Sequence, residues 1–111
     1  MKRLAVRRPT DSNAGELFRP SNNMRAEQVR LVVCNTTAGA ATFRLFIDET
    51  ISDAFDEENA LHWDTSVAAK TSVLVGWDDI MAIPTGGRIG VRTGTASALT
   101  FTLFGNEVQS G

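Results

Sequence analysis

The chain has 111 residues, of which 42% are apolar and 22% charged, with a formal net charge of -2. Those proportions describe one ordinary globular domain with a modest core and exclude a chain disordered throughout. No apolar run approaches the ~18 residues of a membrane-spanning helix, and Arg7-Arg8-Pro9 interrupts Leu4-Ala5-Val6 before a secretory h-region can form, so a protein made and kept in a cytoplasm, or assembled there into something larger, is expected.

Taken in chain order, residues 1–27 differ from the rest. They contain Pro9, Pro20 and the polar clusters Thr10-Asp11-Ser12-Asn13 and Ser21-Asn22-Asn23, a composition that favours turns and extended chain. This segment reads as an extended N-terminal arm with one short strand at Glu16–Arg19. It is also basic: residues 1–30 hold seven cationic side chains against three carboxylates, whereas residues 31–111 hold four against ten.

From Gln28 onward the hydrophobic period is two, which predicts strands. Val29, Leu31 and Val33 share one face; after the turn-forming Asn35-Thr36-Thr37-Ala38-Gly39, Ala41, Phe43, Leu45 and Ile47 do the same. The acidic segment 48–60 reads as a long loop or a single helical turn. Short strands follow at Leu61-His62-Trp63, Thr71–Trp77, Arg88–Thr93 and Ala98–Gly105, the third after the Pro84-Thr85-Gly86-Gly87 turn. About seven or eight short strands at this spacing, without a long helix, predict an all-β, antiparallel, jelly-roll-like sandwich over residues 28–111. Trp63, Phe55 and Trp77 are expected in its core, and Cys34 as a buried thiol.

Little in the sequence points to catalysis. One histidine, His62, and one cysteine cannot build a zinc site of the usual kinds within one chain. The acidic segment lacks the EF-hand pattern, which leaves a solvated acidic face or an irregular calcium site. Gly86-Gly87-Arg88-Ile89-Gly90 precedes a strand rather than a helix and reads as a turn, not a phosphate loop. Asn35-Thr36-Thr37 fits the N-glycosylation pattern but reads as an ordinary turn. No catalytic residue, metal or cofactor is expected, nor a membrane partner. The acidic body and the lack of interleaved aromatics argue against nucleic acid.

Three stretches carry a resemblance: Val32 to Asp48, with its Cys-Asn-Thr strand end and small-residue turn; Asn59 to Asp64 with Ala68 to Val75; and Gly87 to Glu107, a Thr/Phe-rich strand closing on Gly105 and an acid. Together, over about residues 28–109, they resemble the small β-sandwich proteins of tailed-bacteriophage virions. The resemblance implies a non-enzymatic capsid decoration (cement) protein, a homotrimer that binds and stabilises the major capsid protein lattice at the virion surface. A fibre, neck or tail-attached module is the alternative, and a carbohydrate-binding adhesin using exposed tryptophans is another. Under the decoration reading, Lys2, Arg3, Leu4, Val6, Arg7, Arg8, Phe18, Arg19 and Met24 would contact the partner.

Overall fold

A computed structural model describes residues 2–49, 54–76 and 81–109. The described residues form nine strands: β1 (Lys2–Arg7), β2 (Gly15–Phe18), β3 (Met24–Asn35), β4 (Ala41–Asp48), β5 (Ala60–Val67), β6 (Ser72–Val75), β7 (Met81–Ile83), β8 (Arg88–Thr93) and β9 (Leu99–Gln109). A single 3-10 turn, Glu57–Asn59, is capped by the Asp56 carboxylate, which accepts from the Glu58 N–H.

The strands form two antiparallel sheets. The first runs β1-β9-β3-β6, with β7 also on β3; the second runs β2-β8-β4-β5. The pairing is nested along the chain: β4 with β5, β3 with β6 and β7, β2 with β8, and β1 with β9. A long antiparallel ribbon, folded at the β4–β5 tip and rolled onto itself, gives this order, which is the jelly roll.

Alternation drives the roll. Leu31 and Val33 of β3, Phe43 and Leu45 of β4, Ile89 and Val91 of β8, and Leu99, Phe101 and Leu103 of β9 fill the space between the sheets. Each fully buried side chain of this kind contributes roughly 1.5–3 kcal/mol. The Asn35–Gly39 turn is held by one buried amide: Asn35 Nδ2 donates to the Gly39 and Val67 carbonyls, and Oδ1 accepts from the Thr37 N–H and hydroxyl.

Bulges adjust the register where alternation alone fails. In β3 the residue at the bulge, Gln28, has φ 55°. The extra residue turns Ala26 into the core and leaves Glu27 outside, paired with Arg25 at 2.7 Å. In β5 the equivalent residue is Asp64, with φ 51°. Counting back by twos from buried Val67 would point Trp63 inward. The bulge turns His62 inward instead, to stack on Phe43 at 5.3 Å, and leaves Trp63 42% exposed.

Several expectations therefore change. Residues 2–7, expected as extended arm, form an edge strand on β9, and the short strand expected at Glu16–Arg19 is present as β2 at the edge of the second sheet, so both segments belong to the sandwich. Trp63 is not a core residue. Phe55 packs outside the second sheet, against Phe46 at 5.4 Å, rather than between the sheets. Cys34 faces the outer side of the first sheet, half-buried, because its neighbours Val33 and Asn35 take the inward positions. Trp77 lies outside the described residues.

Candidate functional site

The nine residues expected to contact a partner fall into three groups. Leu4 and Phe18 pack against the core, and Met24 opens β3 opposite Gln109, where it is half-buried. Arg7, Arg8 and Arg19 are exposed but engaged within the chain. Arg7 donates to the Glu16 carbonyl at 3.0 Å, and Arg8 donates twice to the Ser97 carbonyl at 2.9 and 2.6 Å. Arg19 holds the Glu16 carboxylate at 2.5 Å, and that hydrogen bond raises its pKa further above its already basic range. Lys2, Arg3 and Val6 are exposed, and neither Lys2 nor Arg3 makes an ion pair among the described residues.

The β1 edge is therefore a tethered basic rim. The Pro9 carbonyl accepts from the Ser97 N–H at 2.8 Å, which fastens the same segment to the turn before β9. Arg3 and Val6 stand on the outer side of the first sheet, opposite Phe104 and Thr102. Val6 begins a cross-strand row that continues through Thr102 and Val32 to Leu74 on β6.

The opposite edge is formed by β5 and β6. Leu61, Trp63 and Leu74 are 49%, 42% and 51% exposed. The Arg44 guanidinium lies 3.5 Å from the centroid of the Trp63 ring and forms a paired contact with Asp64, Nε to Oδ1 at 2.7 Å. This hydrogen bond holds the Asp64 carboxyl below the usual carboxylate range, against the opposing effect of burial, and raises Arg44. Beside it the turn presents Asp56, Glu57 and Glu58 to solvent, and a shallow cleft of about 290 Å³ is lined by Glu57, Ala60, Leu61, His62 and Trp63.

Between the edges, the outer side of the second sheet is closed. Phe55 lies over Gly90, where the ring atoms would come within 2.5–2.7 Å of any Cβ. Phe46 sits beneath Phe55 and Trp63 and is 1% exposed. Arg88 sits 4.2 Å from the Phe55 ring centroid and pairs with buried Asp48 at 3.0 Å, its direct partner across β8 and β4; Glu16 and Arg19 extend the charged row onto β2.

Among the described residues, no three or more His, Cys, Asp or Glu side chains gather as a metal-binding group. Asn35 Nδ2 donates to the Gly39 carbonyl of the turn and to the Val67 carbonyl of β5. Sequence reasoning placed Trp63 in the core under its main reading and did not single out Leu61 or Leu74 as exposed. Their exposure depends on strand order and on the Asp64 bulge, and a left-handed aspartate carries no distinctive local signal.

These features define a jelly-roll sandwich whose exposed large apolar side chains, among the described residues, all stand on edge strands. No protein-family model and no curated protein matches the chain. Among solved structures, it is similar to a chain from the structure of infectious bursal disease virus Gx strain, with a TM-score of 0.47 and 12% identity, covering 98% of this chain and 31% of that one.

Proposed function

We propose that this chain is a non-enzymatic virion structural protein that decorates a capsid, binding the major capsid protein lattice as a homotrimer and stabilising it at the virion surface. Two supports converge. The resemblance to tailed-phage virion sandwiches spans β3 to β9, and the jelly roll is an architecture that viral capsid domains use, although a fold alone does not assign a job. The observation that carries the reading is the confinement of Val6, Leu61, Trp63 and Leu74 to the two lateral edges. Such a distribution fits contact with neighbouring proteins on both sides of the molecule. Lys2, Arg3 and Val6 are the residues of the basic rim that remain available to a partner.

The test is co-sedimentation of the purified chain with capsids that lack it. Stoichiometric binding that raises particle resistance to heat supports decoration. Binding to purified tails or fibres but not to heads would replace it with the tail-attached alternative.

One observation favours a second reading. Trp63 is 42% exposed beside a shallow cleft of mixed polar and apolar lining, as a carbohydrate-binding module would need, and jelly rolls also serve as lectin domains. Arg44 already covers the ring within 3.5 Å, which weakens this reading. Glycan-array binding that is lost in Trp63→Ala would establish it.

A further inference from the structure

We propose that the two lateral edges bind each other between copies of this chain: the β1 edge of one copy docks on the β5–β6 edge of the next, in a heterologous, side-by-side contact. This deepens the self-association part of the proposed function and names the surface and the partner. It rests on the edges themselves, so it can fail while capsid binding stands.

The first argument is charge. Strands β1 and β2 bound one side of the sandwich; β5 and β6 bound the other. On the first side, Lys2, Arg3, Arg7 and Arg8 are exposed, and the acids of residues 2–18 are Asp11 and Glu16, the latter held by Arg19. On the second side, Asp56, Glu57 and Glu58 are exposed and make no ion pair among the described residues, and Lys70 is the one exposed cation of residues 54–76. Pairing like edges would set cation against cation or carboxylate against carboxylate, which opposes association. Pairing unlike edges satisfies both. The favoured contact is therefore head-to-tail, which closes into a ring or continues as a filament according to its rotation.

The second argument is apolar burial. Each edge carries exposed large apolar side chains: Val6 on β1, and Leu61, Trp63 and Leu74 on β5 and β6. With extents of 46 × 28 × 22 Å, a lateral edge offers on the order of 1,000 Å², against the ~800 Å² per partner of a standard stable interface.

The third argument concerns the backbone. β1 is bulged between Arg3 and Ala5, and β5 is bulged twice. Bulges and edge cations obstruct extension of a sheet by another strand. The contact is thus made by side chains and is sensitive to salt, unlike a backbone ladder.

The experiment is sedimentation velocity on the full chain, from micromolar to millimolar concentration, at ~50 mM and ~500 mM salt. The variants are Lys2→Glu/Arg3→Glu and Glu57→Lys/Glu58→Lys; none of the four side chains makes an ion pair among the described residues, and circular dichroism checks that each variant is folded. We expect concentration-dependent association of the natural sequence that weakens at high salt. Each variant alone should lose association at least ~tenfold, and an equimolar mixture of the two should recover it. A strictly monomeric natural sequence would overturn the inference, as would variants that associate undiminished or a mixture that stays apart. Capsid co-sedimentation of the natural sequence and of Glu57→Lys/Glu58→Lys, whose changes lie off the basic rim, reports on the proposed function independently.

Discussion

Gly90 offers a quantitative test of how the outer side of the second sheet is closed. A Cβ at this position would come 2.5, 2.6 and 2.7 Å from three atoms of the Phe55 ring, about 1 Å inside ordinary contact. Gly90→Ala must therefore displace Phe55. Truncating a fully buried Phe costs ~3–5 kcal/mol. Phe55 is half-buried, which brings its own burial to roughly 2 kcal/mol, and its contacts with Phe46 and Arg88 add about 1 kcal/mol. Phe55→Ala should thus lower the unfolding free energy by about 2–3 kcal/mol, and Gly90→Ala by about 2 kcal/mol, the common range for overpacking. In the Phe55→Ala background, Gly90→Ala should cost less than about 0.5 kcal/mol, because the ring is gone and alanine restricts the unfolded chain more than glycine does. The assay is urea unfolding followed by far-UV circular dichroism on all four proteins, and the coupling energy should be about 2 kcal/mol. If Gly90→Ala costs as much without the ring as with it, the glycine is there for a backbone reason and the explanation fails.

Three further outcomes are expected. Asn35→Ala should destabilise by about 3 kcal/mol in the same assay, since it removes four hydrogen bonds, among them the buried one to the Val67 carbonyl; Thr37→Val should cost only about 1 kcal/mol. The Asp64 carboxyl has a lowered pKa in the folded chain, so its stabilisation is present above the unfolded value of ~3.9 and disappears as pH falls through the lower folded value. Unfolding free energies of the natural sequence and of Asp64→Asn should therefore differ near neutrality and converge in acid, with the gap shrinking in salt. Arg8→Ala removes two hydrogen bonds to the Ser97 carbonyl, and should speed amide hydrogen exchange at Ser97 while leaving β3 and β4 protected.

The core strands were legible because one face of each is nearly uniform. Val29-Leu31-Val33, Phe43-Leu45, Ile89-Val91 and Leu99-Phe101-Leu103 all take the inward positions that strict alternation predicts. What escaped has identifiable causes. β1 presents Leu4 and Ala5 as its packed residues, adjacent in sequence because of the bulge, so the period is broken and the basic side chains dominate the reading. Phe46 occupies an outward position yet is buried, because Phe55 reaches it from a loop nine residues away. Trp63 was misassigned by one residue of phase, and the cause is Asp64 at φ 51°. Bulges at non-glycine residues carry weak sequence signals, whereas a one-residue slip reverses every side chain before it.

The charge asymmetry shows how topology turns a one-dimensional pattern into a three-dimensional one. A basic front and an acidic remainder were visible in the sequence, but that contrast alone fits a detached arm as well as a folded edge. The nested ribbon decides between them. Its start, β1, lies at one side of the roll, and β5, which follows its tip, lies at the other beside β6. Cations near the start of the chain and carboxylates just before β5 are therefore carried to opposite sides of the molecule by the same folding step that buries Phe43 and Phe101 between the sheets. Polarity across the sandwich follows from the roll together with the order of charges along the chain, and it requires no separate arm. A permuted chain starting at Gly39, with the natural ends joined by a short linker, would keep both edges charged as they are. It should therefore retain self-association, whereas a free arm would lose its single flexible attachment and, with it, most of its reach.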